Sequence, residues 1–124
     1  MQRTTEALID TGCGLSVTSR NFVSRLHLNF GVLQPGDPKM LIGANGSHIN
    51  VLGKITLSIK LNGLTVPFDF LVADRLTQNI ILGHDFLTET KALISYADSS
   101  VTFFDHLVEL KLLSKKRDSS VYHF

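Results

Sequence analysis

The stretch "ALIDTGCGLSV", residues 7–17, decides how this chain folds. Ala7, Leu8 and Ile9 lead straight into Asp10; Thr11, Gly12, Cys13 and Gly14 follow, and the chain becomes apolar again at Leu15 and Val17. An ordinary Asx-type turn explains an aspartate two residues before a glycine, with Asp10 bonding nearby backbone and Gly12 supplying the unusual dihedral. It leaves unexplained the aliphatic approach on one side and the aliphatic exit on the other. Short strands are expected over Glu6–Ile9 and Leu15–Thr18, with a carboxylate in the turn that joins them.

Outward from that turn, Ser19 is placed to cap a short helix whose Phe22, Val23 and Leu26 share one face. Gln34-Pro35-Gly36-Asp37-Pro38 is loop by its turn chemistry. From Lys39 the pattern becomes β. Met40-Leu41-Ile42 and Ile49 to Val51 flank Asn45-Gly46, a pair suited to the positive φ angles of a hairpin turn. Ile55, Leu57, Ile59 and Leu61 alternate with polar residues up to Asn62-Gly63, and Leu64, Val66, Phe68, Phe70 and Val72 alternate after it. This predicts a second hairpin with a fixed register. Asn79 to Gly83 is a short, continuously apolar strand of the kind buried on both faces. One or two helical turns are expected over His84–Thr90. A strand pair follows, Ala92–Ile94 and Val101–Phe104, around Ala97 to Ser100. The domain is therefore mostly β.

The chain has 124 residues, of which 44% are hydrophobic and 19% charged. That is enough for one domain with a core of its own. A formal net charge of +1 offers no electrostatic case for nucleic acid or an acidic membrane. The short basic run Lys115-Lys116-Arg117 reads as a solvated tail. Cys13 is the sole cysteine, which excludes an intramolecular disulfide and suits a reducing compartment. Neither a secretory leader pattern nor the ~20 apolar residues of a spanning helix is visible, so a soluble protein is expected. The five histidines, His27, His48, His84, His106 and His123, lack metal-ligand spacing. The glycines of "GCG" and "GANG" do not lead from a strand into a helix with a lysine, so they form no phosphate loop. His84-Asp85, at a helix entry, is read as structural.

Three segments in order carry a family resemblance: "ALIDTG" at 7–12, "PKMLIGANGSHINVLGKI" at 38–55 and "NIILGHDFL" at 79–87. Together they resemble the catalytic turn, the flap hairpin, and the hydrophobic-hydrophobic-glycine strand with its helix in the retroviral-type aspartic peptidases, most like those of gypsy-type LTR retroelements. The resemblance covers Thr5 to Phe104. It implies a closed β-barrel-like retropepsin fold with a flap hairpin and one or two short helices. The protease domain would span residues 1–105, and residues 106–124 would form a C-terminal strand or tail, with Val108, Leu110 and Leu112 alternating.

The resemblance also implies a mechanism. Hydrolysis without a nucleophilic side chain or metal needs one group to take a proton from water and another to give one to the substrate. Two adjacent carboxylates that share one proton do both. Asp10 would be catalytic, Thr11 would brace the paired loops, and Gly12 would let backbone approach the carboxylates. The chain has one Asp-Thr-Gly and no Asp-Ser-Gly; Asp98-Ser99-Ser100 lacks the glycine. The second carboxylate must then come from a second copy, which makes an isologous homodimer. Ile42, Gly43, Ala44, Asn45, Gly46 and Ser47 would form a flap over a polypeptide substrate. Ile49, Val51 and Ile81 are the further apolar residues expected near the peptide, although core packing explains them equally well. No cofactor or metal is implied, and no nucleic-acid or membrane partner. The expected function is cleavage of a retroelement polyprotein, in the cytoplasm or within retroelement particles. The alternative is a catalytically silent domain of the same fold, used for self-association or protein binding. Family members carry a further strand before the catalytic one, and only nine residues precede Asp10 here.

Overall fold

A computed structural model describes residues 4–42, 46–116 and 119–123, with side chains placed through Lys111. Among the described residues, ten strands form one curled sheet, accompanied by two short helices. In chain order they are β1 (Glu6–Ile9), β2 (Val17–Ser19), α1 (Arg20–Arg25), β3 (Met40–Ile42), β4 (His48–Leu61), β5 (Leu64–Ala73), β6 (Ile80–Leu82), α2 (His84–Glu89), β7 (Leu93–Ser95), β8 (Ser100–Phe103), β9 (Val108–Lys116) and β10 (Ser119–His123). Across the sheet the order is β3-β4-β5-β2-β6-β1-β10-β9-β8-β7.

The centre of the sheet follows from the most apolar segment. β6 lies between β1, parallel to it, and β2, antiparallel to it. Ile80 and Leu82 are buried and Ile81 is half-buried, as expected of a strand with neighbours on both edges. The chain rises along β1, passes over the end of β6 and descends along β2.

Alternation governs the long hairpin. Leu57, Ile59 and Leu61 of β4 are buried, while Thr56, Ser58 and Lys60 are exposed. The two residues between the Leu61–Leu64 pair, Asn62 (φ 48°) and Gly63 (φ 98°), both take positive φ, the geometry read from the sequence. The burial pattern changes over Phe70–Ala73, where four consecutive residues are buried because β2 joins β5 on its other edge. β3 and β4 also form a hairpin, but not with a two-residue turn. Ile42 opposes His48, so five residues, 43–47, separate the pair, and Gly46 has a φ of 83°. The second strand also differs from expectation, running over Val17–Ser19 rather than from Leu15. Leu15 is 39% exposed, and its carbonyl is used in the turn described below.

α1 begins where Ser19 accepts a hydrogen bond from the Phe22 amide, and it buries Phe22 and Val23. The centre of the core is aromatic. Phe86, fully buried on α2, sits edge-on to Phe68 (5.1 Å) and Phe103 (6.2 Å), an arrangement that suits ring quadrupoles. β9 and β10 extend the sheet at the C-terminal end, with β10 antiparallel to β1 from Glu6↔His123 to Ile9↔Ser120.

Candidate active site

Asp10 leaves the end of β1 with its amide bonded to the Leu82 carbonyl at 3.1 Å. Its Oδ1 accepts the Gly12 amide at 3.0 Å, and its carbonyl accepts the Cys13 amide at 3.1 Å. The turn thus closes on its own carboxylate. A Cβ on Gly12 would lie 3.4 Å from the same Oδ1, so glycine leaves the acid uncrowded on that side. Asp10 is half-buried, whereas Thr11 and Gly12 are exposed. Among the described residues, the Thr11 hydroxyl has no bonded partner. A single copy therefore presents the carboxylate, hydroxyl and glycine on an open face.

What holds this turn is the strand it crosses. Gly83 terminates β6 directly beneath it. A Cβ there would stand 2.7 Å from the carbonyl oxygens of both Cys13 and Leu15, inside any real contact distance and against backbone. Only glycine allows the crossing. Two amides of the following helix then bind the turn from below, His84 to the Cys13 carbonyl (2.7 Å) and Asp85 to the Gly14 carbonyl (3.2 Å).

A side-chain relay completes the clamp. Ser16, 1% exposed, accepts the Gly83 amide at 2.9 Å and donates to Asp85 Oδ1 at 2.6 Å. Asp85 Oδ1 also accepts the Phe86 amide at 2.7 Å. Asp85 thus has the structural role expected of it. Ser16 was not anticipated as part of the site; its one sequence signal is a hydroxyl between two aliphatics, Leu15 and Val17.

Cys13 is half-buried, and its thiol donates to the Leu15 carbonyl at 3.1 Å. Burial pushes this thiol above its ordinary value of 9.0. The backbone of Leu15 partly opposes that, and the Asp10 and Asp85 carboxylates add to it. The thiol is held neutral beside the acid, as a small packing group.

The structure gathers Asp10, Thr11 and Gly12 into one bonded turn. Ile42, Gly46 and Ser47 lie apart from it on the β3–β4 hairpin, with Ile42 73% exposed. Gly43, Ala44 and Asn45 lie outside the described residues. Val51 is buried, while Ile49 and Ile81 are half-buried. Among the described residues, no three His, Cys, Asp or Glu side chains are grouped as metal ligands. No described helix is long and apolar enough to cross a membrane.

Residues 2–89 match the sequence family described as "gag-polyprotein putative aspartyl protease", which spans well over half of the chain. The chain belongs to the retroviral-type aspartyl protease family. Its Asp-Thr-Gly turn and the Gly83 crossing both lie within the matched segment. The fold agrees with the retroviral protease-like domain of Ddi1 from Leishmania major, a crystal structure. The two share a TM-score of 0.71 and 20% sequence identity, over 89% of this chain and 85% of that one. No curated protein matches the chain by sequence.

Proposed function

We propose that this aspartyl protease-family domain is an active endopeptidase, working as a homodimer on a retroelement polyprotein. The observation that carries the reading is the Asp10 turn: a carboxylate fixed by its own loop and offered on an open face, with its hydroxyl and glycine beside it. One such turn is half of a dyad. A two-fold axis through the open face brings the second Asp10 opposite the first.

In the dimer, one Asp10 carboxylate removes a proton from water as its oxygen bonds to the scissile carbonyl carbon. The protonated Asp10 of the other subunit gives its proton to the carbonyl oxygen. Collapse of the tetrahedral diol breaks the C–N bond, with proton transfer to the departing nitrogen, and leaves the pair again with one proton. Thr11, exposed in the single copy, bonds across to the partner's loop. The β3–β4 hairpin covers the peptide, with Ile42 as its apolar contact. The proposed setting is a reducing intracellular one, the cytoplasm or a retroelement particle.

Asp10→Asn tests the reading. It keeps shape and an oxygen acceptor for the Gly12 amide while removing the acid. Cleavage of a peptide with apolar residues at the scissile bond should disappear, with far-UV circular dichroism unchanged. Activity retained in the pure variant refutes the mechanism. An inactive parent protein that also sediments as a monomer supports the silent alternative.

A further inference from the structure

Among the described residues, β3 is paired to the rest of the sheet through β4 alone. What fixes the angle of that hairpin therefore lies at its root. β5 follows β4 as far as Val51↔Ala73, and a last bond runs from the Asp74 amide to the Asn50 carbonyl at 2.9 Å. β4 is also bent at this level. Val51 opposes Ala73 and Gly53 opposes Val72, so Leu52 is an extra residue, a bulge that adds bend and twist.

The second support is the arm that feeds β3, residues 28–39. It starts against α1, where the Leu28 amide bonds to the Val23 carbonyl at 3.1 Å. It then crosses β4 on the edge away from β5. Gly31 and Lys54 exchange two backbone bonds there, at 2.8 and 3.0 Å, in an isolated bridge. At the crossing the Phe30 ring lies on Gly53. A Cβ on Gly53 would stand 2.4 Å from the ring's Cδ2 and 2.2 Å from the Gly31 carbonyl oxygen. Glycine directly after the bulge is what lets arm and strand touch. Phe30 is 37% exposed, so burial in the core does not account for it. The Lys54 side chain reaches on to Asp37 Oδ1 at 3.4 Å, while Asp37 Oδ2 closes its own loop by accepting the Gln34 amide at 2.7 Å. Where β3 begins, the Lys39 carbonyl accepts the Val51 amide at 3.1 Å.

We propose that Phe30 and Lys54 are positioning residues, which set through the crossing at Gly53 how closely the β3–β4 hairpin covers the Asp10 face. This rests on the proposed role of the hairpin as the cover of the peptide. The arm is supported at α1 and again at the crossing, so its far end, β3, takes its height from the second support. Phe30 is the stop on which the arm rests. The Lys54–Asp37 pair is the clasp that holds the loop behind it, and being partly exposed it carries the smaller share. Neither residue needs to touch substrate to act.

The test pairs each disruptive variant with a conservative one: Phe30→Ala with Phe30→Tyr, and Lys54→Met with Lys54→Arg. Amide exchange reads the placement of the hairpin without calling on catalysis. In Phe30→Ala the Val51 amide, bonded to Lys39 at the hairpin root, should exchange about fivefold or more faster, while the Asp10 amide, bonded to Leu82, keeps its rate. Steady-state cleavage of a peptide with apolar residues at the scissile bond reads the consequence. KM should rise about threefold or more in Phe30→Ala and by less in Lys54→Met, with kcat held within about twofold, because a cover binds ground and transition states alike. Phe30→Tyr and Lys54→Arg should stay near the parent in both readouts. An unchanged Val51 amide in Phe30→Ala overturns the proposal. Equal quickening at Val51 and Asp10 also overturns it, since that is general loosening, as does a fall in kcat at constant KM. A parent chain that cleaves nothing refutes the proposed peptidase instead, and the exchange rates alone then decide whether the crossing places the hairpin.

Discussion

At the scale of single residues, the site depends on where a side chain is absent. Gly83→Ala places a methyl group against two carbonyls that cannot move without dragging the Asp10 turn. Overpacking of this kind costs about 1–3 kcal/mol. The urea midpoint should fall accordingly, and peptidase activity should fall further than stability does. Cys13 gives a pH-dependent signature. Its thiol is raised in the folded state, so the folded chain holds that proton more tightly than the unfolded one. The resulting stabilisation is complete below the unfolded thiol value and is lost as pH rises through the raised folded value. Iodoacetamide at pH 8.5 should therefore label native protein more slowly than urea-unfolded protein, and Cys13→Ser should flatten the alkaline limb of the stability curve.

At the scale of elements, α2 acts on the turn through Ser16 as well as through its amides. Ser16→Ala strips a buried acceptor from Gly83 and a donor from Asp85, a loss of about 1–3 kcal/mol. Thermal unfolding checks it; Ser16→Thr, which keeps the hydroxyl, should recover part of the loss. Much of this level was legible in the sequence, because period-2 alternation and Asn62-Gly63 specify a hairpin through local rules. The Asp10 turn was equally legible, since an acid at the end of an aliphatic strand has few bland explanations. The Ser16–Asp85 bond was not, because it joins residues 69 positions apart and neither belongs to a repeating pattern. The β3–β4 hairpin was legible too, and the register of Ile42 with His48 leaves residues 43–47 between its strands, the segment read as the turn. The strand beginning at Leu15 was displaced because the backbone there is engaged by Cys13 and crowded over Gly83.

At the scale of the whole molecule, activity under the proposed mechanism is a property of two chains. Well below the dissociation constant, the initial rate should rise with the square of total chain concentration. A linear dependence over that range would show that single chains suffice. Excess Asp10→Asn chain should suppress the parent protein by forming mixed pairs. The arrangement around β6 has one more consequence. Ile9 is in register with Leu82 on one edge of that strand, and Val17 with Ile81 on the other. Neighbouring residues of a single strand thus serve as the two posts from which residues 10–16 hang, like the cable of a short bridge. Adding or removing one residue of that span leaves the carbonyls of Cys13 and Leu15 out of step with Gly83, and the Asp10 turn with them.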